Sequence, residues 1–286
     1  MTTLKQKLFI AVQYLVPQHL LSRLVGWVAR SEIPWLKTTF INTFIRRFGV
    51  DLSEAEIEDP DRFDHFNAFF TRALKPGARP IAEAADAIAC PADGTVSQLG
   101  ALRGGDLLQA KGRYYSLFEL LGGDGQLAAE FANGHFATVY LSPKDYHRVH
   151  MPFTGTLRET RYVPGALFSV NQTTAENVPR LFARNERLVC VFDTEVGPMA
   201  VVLVGAMIVA GIETVFAGQV TPQPHAITHT DYRDPKPITL QKGDELGRFM
   251  LGSTAIVIFA EGAARFDPAL NATCPVRMGQ QMGTVG

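Results

Sequence analysis

The feature that most constrains this chain is an apolar run near its carboxyl end, broken at its centre by Gly252-Ser253-Thr254. Residues 249–259 are otherwise apolar or β-branched, a composition typical of a strand buried on both faces. Glycine is uncommon inside a strand because it packs nothing and adds freedom to the unfolded backbone. A hydroxyl directly after that glycine can attack the glycine's carbonyl and turn the amide into an ester. The run therefore predicts either a bulged strand with two incidental hydroxyls or a chain that reacts with itself.

The length, charge and cysteine content narrow the classes of protein to which the chain can belong. It has 286 residues and a formal net charge of −1, so it can bury a large core and lacks the basic excess of a general nucleic-acid binder. We therefore expect no nucleic-acid partner. Its three cysteines, Cys90, Cys190 and Cys274, lie far apart. This pattern favours buried thiols in a reducing compartment over a disulfide framework or a zinc finger.

The first fifty residues differ from the rest because they are both basic and apolar. Seven lysines and arginines against a single acid, Glu32, give residues 1–50 a net charge of +6. A stripe of leucines and valines has helical spacing, and Pro17 and Pro34 divide the segment into two or three short helices. Basic amphipathic helices with tryptophans suggest a membrane-surface anchor, in which each basic side chain contributes about 1 kcal/mol near an anionic leaflet. The alternative is a helical layer packed on the core, with its basic side chains merely solvated.

Beyond residue 81 the pattern is that of strands. Alternating or β-branched runs between turn-forming residues predict strands at 95–99, 136–141, 157–163, 188–192, 199–204, 207–212 and 249–259. One short helix is expected at 115–121, and no regular strand–helix alternation indicates a parallel sheet. The prediction is an α+β fold with a mostly antiparallel, sandwich-like β core and an N-terminal, membrane-facing helical region. We expect a membrane-association region at 1–50 and a β-rich domain at 51–286.

Two further stretches carry side chains suited to acid–base chemistry. Asp93-Gly94 is a turn signal before a strand, and an aspartate at a strand edge can also orient a histidine. His147 and His150 are three residues apart, so a helical turn would place both on one side and an extended strand on opposite sides. They could be structural, or half of a metal site, although no third ligand completes a familiar spacing. With Ser253, these residues supply the acid, base and nucleophile of acyl transfer.

The residues alone leave three functions open. No Gly-x-Ser-x-Gly turn surrounds Ser253, so the electrophile nearest to its hydroxyl is the Gly252 carbonyl, which favours a self-modifying enzyme. A hydrolase acting as an intact chain through Asp93, His150 and Ser253 is the second function. A non-catalytic, membrane-associated β module is the third.

Three motifs, in this order along the chain, resemble those of the phosphatidylserine decarboxylases. They are Pro91-Ala92-Asp93-Gly94, Tyr146-His147-Arg148-Val149-His150 and Leu251-Gly252-Ser253-Thr254. The resemblance covers nearly the whole chain, and the Leu-Gly-Ser-Thr form is similar to that of the bacterial membrane-associated branch. It implies a pyruvoyl-dependent carboxy-lyase of phospholipid biosynthesis, made as a proenzyme.

The resemblance also implies a role for each site residue. Autocatalytic cleavage between Gly252 and Ser253 would give a beta chain of residues 1–252 and an alpha chain of residues 253–286. Ser253 would attack Gly252, with His150 as base and Asp93 orienting it, and would then become the covalent pyruvoyl cofactor. That group would form a Schiff base with the substrate amine and accept electrons as carbon dioxide leaves. His147 would be the proton donor in decarboxylation, and no metal is implied.

The partners follow from the same resemblance. They are the substrate phosphatidylserine, which would yield phosphatidylethanolamine, an anionic membrane surface, and the alpha and beta chains of one precursor. The expected location is peripheral, on the cytoplasmic face of the cell membrane. The resemblance leaves a homodimer open.

Overall fold

The computed structural model describes residues 3–207, 211–221, 226–234, 236–250 and 252–286. Within them the helices are α1 (Leu4–Leu15), α2 (Gln18–Ala29), α3 (Pro34–Phe48), α4 (Phe66–Phe70), α5 (Leu117–Leu120), α6 (Gly125–Phe131), α7 (Gln172–Asn177) and α8 (Leu181–Arg184). A 3-10 turn spans Pro60–Arg62. The strands are β1 (Ala87–Ala89), β2 (Gly94–Ala101), β3 (Asp106–Ala110), β4 (Arg113–Ser116), β5 (His135–Tyr140), β6 (Arg148–His150), β7 (Gly155–Val163), β8 (Arg187–Thr194), β9 (Gly197–Val204), β10 (Ile212–Thr214), β11 (Gly218–Gln219), β12 (Thr228–Asp231), β13 (Thr239–Leu240), β14 (Glu245–Phe249), β15 (Thr254–Phe259), β16 (Ala264–Phe266), β17 (Pro275–Val276) and β18 (Gln281–Val285).

The N-terminal helical region consists of α1, α2 and α3, and its breaks fall at the two prolines. Pro17 directly precedes α2 and Pro34 is the first residue of α3, positions where the missing proline N–H costs no helical hydrogen bond. Gly49 ends α3 in the left-handed conformation, with φ of +67°. In the described part of the chain no single helix is long and apolar enough to cross a bilayer. Helices α1 and α2 reach that length and composition only as a pair, which is bent by 86°.

The β-strands form one large sheet and several smaller ones, and the strands described pair antiparallel. The described part of the large sheet has nine strands in the order β12-β7-β8-β9-β15-β5-β2-β17, with β13 also paired to β7. Its central strand, β15, lies between β9 and β5. A second sheet has the order β11-β10-β14-β6, a third has the order β1-β18-β16, and β3 and β4 form a separate hairpin.

The large sheet buries both of its faces because successive residues of a strand point to opposite sides. Val257 of β15 belongs to the core between the large sheet and the two smaller sheets. The next position, Ile256, belongs to the core beneath α5 to α8 and the β3–β4 hairpin. A third cluster, rich in phenylalanine, joins α3 to Phe66 and Phe70 of α4. The α+β class, the antiparallel β core and the N-terminal helical region are therefore confirmed.

Most predicted strands are observed, with shifts at their ends. Strands β2, β5, β7, β8 and β9 lie at the predicted places. The strand predicted at 207–212 falls largely outside the described residues, and its last residue, Ile212, begins β10. The helix predicted at 115–121 is shorter than expected, because Tyr115 still pairs within the β3–β4 hairpin.

Candidate active site

The apolar run at 249–259 forms the ends of two strands rather than one bulged strand. β14 ends at Phe249 and β15 begins at Thr254. β14 pairs with β6 and β10 in the four-stranded sheet, whereas β15 pairs with β5 and β9 in the large sheet. The chain thus crosses between sheets through Gly252 and Ser253, while Leu251 lies outside the described residues. A continuous strand was the wrong prediction, because the two halves of the run satisfy their backbone hydrogen bonds in different sheets.

Gly252 occupies a position that only glycine fits. Its φ is +40°, in the left-handed region that side chains disfavour. A β-carbon built on it would lie 3.0 Å from His147 Nε2 and 3.7 Å from Phe70 Cζ. Both the backbone conformation and the lack of space therefore explain the glycine that interrupts this apolar run.

Ser253 is buried at the edge of a cavity. Its side chain is 2% exposed, its hydroxyl is 3.4 Å from Thr254 Oγ1, and its carbonyl accepts a 2.8 Å hydrogen bond from the Leu141 N–H. The cavity has a volume of about 270 Å³. Its wall includes Phe44 and Phe48 of α3, Phe70, Ser169, Val170 and Asn171. The N-terminal helices therefore contribute aromatic side chains directly to the surroundings of Ser253.

His147 is fully buried beside Gly252. Its Nδ1 is 2.8 Å from the Asp145 carbonyl, and since a carbonyl only accepts, Nδ1 carries the proton in the neutral ring. Nε2 is then an acceptor, and it is buried without a hydrogen-bond partner among the described residues. The ring packs on Phe70, with 3.9 Å between the ring centroids. Burial, reinforced by the nearby Arg72 charge, lowers the pKa of His147 to about 3, so the ring is neutral near pH 7.

Arg72 is a buried cation on the far side of the Asp145 carbonyl. Its residue is 5% exposed, and Nη2 donates to the Lys144 carbonyl at 3.0 Å and to the Asp145 carbonyl at 3.5 Å. Nε and Nη1 are buried and have no hydrogen-bond partner among the described residues. Burial lowers the pKa of Arg72, but guanidinium remains charged near neutral pH. Its charge opposes a second positive charge on His147.

His150 faces a different set of partners. Its Nδ1 donates to the Gly243 carbonyl at 2.8 Å, so its Nε2 accepts the hydroxyl of Tyr146 at 3.0 Å. Burial lowers the pKa of His150. Both nitrogens are therefore engaged, and His150 can accept a new proton only when the Tyr146 hydroxyl turns away from Nε2.

Asp93 is a buried carboxylate that lies near His150 but binds other groups. It accepts two hydrogen bonds from Arg79 Nε, at 2.8 and 3.0 Å, and one from the Met278 N–H at 2.8 Å. Arg79 also reaches Glu54 at 2.9 Å. The expected contact between Asp93 and His150 is not formed in this structure. Asp93 binds Arg79 instead, and His150 Nε2 accepts the hydroxyl of Tyr146. Asp93 still acts on His150 through its charge, which favours the protonated ring.

The structure thus brings Gly252, Ser253 and His147 together and leaves Asp93 and His150 as neighbours with separate partners. Within the described residues no three His, Cys, Asp or Glu side chains cluster as metal ligands would. Sequence reasoning gave no role to Phe70, Arg72 or the Tyr146 hydroxyl. The one available signal was Tyr146 inside the histidine motif, four residues before His150. Phe70 and Arg72 come from a distant part of the chain, and nothing in their sequence context pointed to the site.

Comparison with known proteins gives consistent matches. The family model described as phosphatidylserine decarboxylase matches residues 66–284, and a model described as PSD matches residues 8–49. A phosphatidylserine decarboxylase proenzyme of Alcanivorax borkumensis is 68% identical over 282 residues, which cover 98% of this chain and 97% of the relative. Proteins of the same name from Pseudomonas aeruginosa (63% identity, 96% of each chain) and Ectopseudomonas mendocina (62% identity, 98% of this chain and 99% of the relative) are also similar.

Proposed function

This chain belongs to the phosphatidylserine decarboxylase family, so it is a decarboxylase of phosphatidylserine, and we propose that it gains its activity by cutting itself between Gly252 and Ser253. The observation that carries this proposal is the left-handed conformation of Gly252 directly before the buried Ser253. A glycine in the left-handed conformation, followed by a buried serine, lies against an imidazole nitrogen without a hydrogen-bond partner among the described residues. Glycine adopts this conformation without strain, whereas other residues disfavour it, and an unpaired buried base beside such a position is typical of a reactive site.

The proposed cleavage begins at the Ser253 hydroxyl. Its oxygen bonds to the Gly252 carbonyl carbon as a base removes the proton, the Gly252–Ser253 C–N bond breaks, and the released amine takes up a proton. The product is an ester between Gly252 and Ser253. Removal of the Ser253 α-proton then expels the Gly252 carboxylate by β-elimination. Uptake of one water and release of one ammonia leave a pyruvoyl group at the start of chain 253–286.

The surroundings of Ser253 fit such a group. The residue is almost wholly buried at an apolar cavity, where a carbonyl is shielded from bulk water. A pyruvoyl carbonyl supplies the electron-accepting group that decarboxylation of an amino acid needs and that ordinary side chains lack. Phe44, Phe48 and Phe70 keep water away from the reacting carboxylate.

His147 is our candidate for proton transfer at the substrate. The tautomer fixed by the Asp145 carbonyl leaves Nε2 as an acceptor. Nε2 would take the proton that the substrate ammonium loses and return it to the substrate α-carbon after carbon dioxide leaves. This sequence makes His147 a proton donor in turnover even though its pKa keeps it neutral at rest.

His150 and Asp93 are our candidates for the cleavage step. A base that accepts the Ser253 proton becomes positively charged. The negative charge of Asp93 favours this protonated form of His150. For His150 to act, the Tyr146 hydroxyl must leave Nε2, and the hydrogen bond between them is what the step has to break. The proposal keeps the two histidines in separate steps, a division that single substitutions can test.

We also propose a peripheral location on the cytoplasmic face of the membrane, with residues 1–50 as the membrane-association region and residues 51–286 as the catalytic domain. The membrane contact is supported by exposed apolar side chains of the N-terminal helices, which include Leu4, Leu8, Leu15, Leu20, Leu24, Trp27 and Trp35. Lys5, Lys7, Arg23 and Arg30 are also exposed on α1 and α2. An apolar surface edged with basic groups suits a bilayer of anionic lipid, where the diacyl substrate resides. A homodimer is compatible with this arrangement, and no contact in this structure argues for it.

Intact-protein mass spectrometry tests the proposed function. The purified protein should consist of chains 1–252 and 253–286, the second beginning with pyruvoyl, and it should release carbon dioxide from phosphatidylserine. Ser253→Ala should remain one chain without activity. An uncut protein that keeps an unmodified serine and still releases carbon dioxide would overturn the proposal. An uncut protein that hydrolyses esters and releases no carbon dioxide would instead favour the Ser-His-Asp hydrolase.

A further inference from the structure

At the junction of α1 and α2, polar side chains are buried and an apolar side chain is exposed, the opposite of the usual arrangement. At this elbow, which we define as residues 13–19, Gln13 and Gln18 are 3% and 9% exposed, whereas Leu15 is 82% exposed. Buried amides need hydrogen-bond partners, and exposed leucines need an apolar environment. The elbow therefore directs its polar side chains toward the protein and its apolar side chains away from it.

The two glutamines bind a single extended segment of the catalytic domain. Gln18 Oε1 accepts the Leu167 N–H at 2.6 Å, and Gln13 Oε1 accepts the Ser169 N–H at 2.9 Å. Gln13 Nε2 also donates to Ser169 Oγ at 3.2 Å, and Gln18 Nε2 donates to the Gln13 carbonyl at 2.7 Å. The last bond ties the two helices together at the elbow. The side-chain amides of Gln13 and Gln18 thus accept hydrogen bonds from the backbone N–H groups of residues 167 and 169, as the carbonyls of a neighbouring strand would.

The other edge of the same segment is held by the domain core. The Ala166 N–H donates to the Arg184 carbonyl at 2.8 Å, and the Phe168 N–H donates to Asn185 Oδ1 at 3.0 Å. Asn185 Nδ2 returns a bond to the Phe168 carbonyl at 2.9 Å. Backbone N–H groups at 166 and 168 thus face the core, while those at 167 and 169 face the elbow. The position of the segment depends on both sides equally.

The segment leads directly into the cavity at Ser253. Ser169, which Gln13 holds through two hydrogen bonds, lines that cavity together with Val170 and Asn171. Ser169 therefore connects helices α1 and α2 to the cavity that Gly252 and Ser253 also line. A shift of the elbow would move this part of the cavity wall.

We propose that Gln13 and Gln18 are positioning residues that couple the seating of α1 and α2 on a lipid surface to the shape of the reaction cavity. This inference rests on the proposed function of the Ser253 cavity. When the exposed leucines are in lipid, the elbow is fixed, and residues 167–171 are held where a diacyl phospholipid can enter. The substrate class concerned is phosphatidylserine presented in a bilayer, as distinct from the same headgroup on a soluble short-chain lipid.

The test compares two substrates with one pair of variants. Gln13→Met and Gln18→Met, combined, keep side-chain size and helix propensity but remove both acceptors. Gln126→Met, at an exposed position of α6, is the matched control. Rates of carbon dioxide release are measured on vesicles containing phosphatidylserine and on monomeric dihexanoyl phosphatidylserine. Cleavage is followed on gels, and vesicle binding by sedimentation.

We expect the double variant to be cut and to bind vesicles like wild type, but to lose at least tenfold in kcat/KM on vesicles relative to the soluble lipid. An equal loss on both substrates, or no loss, would overturn the coupling, since a merely structural defect lowers both rates alike. If the double variant does not fold, Gln13→Glu, which keeps the acceptor for Ser169, is compared with Gln13→Met on vesicles. Equal vesicle activity of these two would also overturn it. A wild type that is uncut and inactive on both lipids would contradict the proposed function instead.

Discussion

His147 Nε2 lies 3.0 Å from the position that a β-carbon on Gly252 would occupy. A side chain at residue 252 would have to displace His147, whose Nε2, without a hydrogen-bond partner among the described residues, lies beside the bond that we propose is cut. This contact joins the segment between β14 and β15, where the chain passes from the four-stranded sheet to the large sheet, to the loop after β5. The site thus depends on residues more than one hundred positions apart in the chain.

Replacing Gly252 by alanine should block self-cleavage. The methyl group would meet His147 Nε2, and the left-handed conformation costs a non-glycine residue about 1–2 kcal/mol. Gly262→Ala is the matched control, because Gly262 has φ of +73° and open space around its β-position. On gels and by intact mass, Gly252→Ala should stay one chain while Gly262→Ala is cut. Equal cutting of both variants would show that the backbone conformation and close packing at Gly252 are not needed for cleavage.

The two histidines should fail at different steps. His147→Ala should be cut but should lose about 10²–10⁴-fold in carbon dioxide release, the usual contribution of a general acid–base group. His150→Ala should accumulate the uncut chain. Tyr146→Phe removes the donor to His150 Nε2 and should be cut at least as fast as wild type.

Gels and a carbon dioxide assay on these three variants decide the assignment. An uncut His147→Ala with a normally cut His150→Ala would reverse the roles, and the contact at Gly252 would then belong to cleavage. If both variants are cut and active, neither histidine belongs in the mechanism.

The fold class was predictable from sequence, but the connections between side chains were not. The continuous apolar runs of β8, β9 and β15 indicate strands buried on both faces, and Pro17 and Pro34 indicate the breaks between helices. The division of 249–259 between two sheets was not predictable, because its two halves are equally apolar and only long-range pairing distinguishes them.

The partners of the charged groups could not be predicted from the sequence either. Asp93 lies 14 residues from Arg79 and more than fifty residues from the histidine motif, and the structure pairs it with Arg79. Local spacing cannot rank such choices, because the competing partners lie on different elements. The same holds for Gln13, one of several polar residues of α1, whose structural role becomes visible only through its hydrogen bonds to Ser169.

Replacing Asp93 by asparagine should destabilise the protein and leave it uncut. The change removes the charge that faces Arg79 in a mostly buried pair and should cost about 2–3 kcal/mol. Glu54→Gln is the control, since it removes the other, more exposed partner of Arg79 and leaves Asp93 in place. Urea unfolding, made in the Ser253→Ala background, measures stability, and gels on the single variants measure cleavage. Cleavage of Asp93→Asn at the wild-type rate would exclude Asp93 from that step.

The uncut chain should lose stability as the pH falls below about 6.5. Burial lowers the pKa of His150 and that of His147, the latter to about 3, whereas an unfolded histidine titrates near ~6.5. Between these values the unfolded chain binds protons that the folded chain does not, so unfolding becomes easier with acid. The slope is at most about 1.4 kcal/mol per pH unit for each histidine.

Urea unfolding of Ser253→Ala at pH 5.5 and 6.5 measures this slope in a range above the titration of most carboxylates. Adding His147→Gln should reduce it, because one of the two buried groups is then gone. An unchanged slope would mean that His147 is not held neutral in the folded protein.

The proposed membrane contact of α1–α3 can be followed with the protein's own fluorescence, because both tryptophans, Trp27 and Trp35, lie on these helices and each is 70% exposed. On vesicles rich in phosphatidylglycerol their emission should shift to the blue and be quenched by brominated acyl chains, since both rings would leave water for the bilayer interface. Trp27→Ala with Trp35→Ala should weaken sedimentation with such vesicles, and high salt should weaken it further by screening the basic side chains. Val215→Ala removes an exposed apolar side chain on the turn after β10 and should change neither result. If emission from both tryptophans stays that of exposed rings on vesicles that bind the protein, the anchor lies outside these helices, and the elbow at Gln13 and Gln18 loses its connection to the lipid.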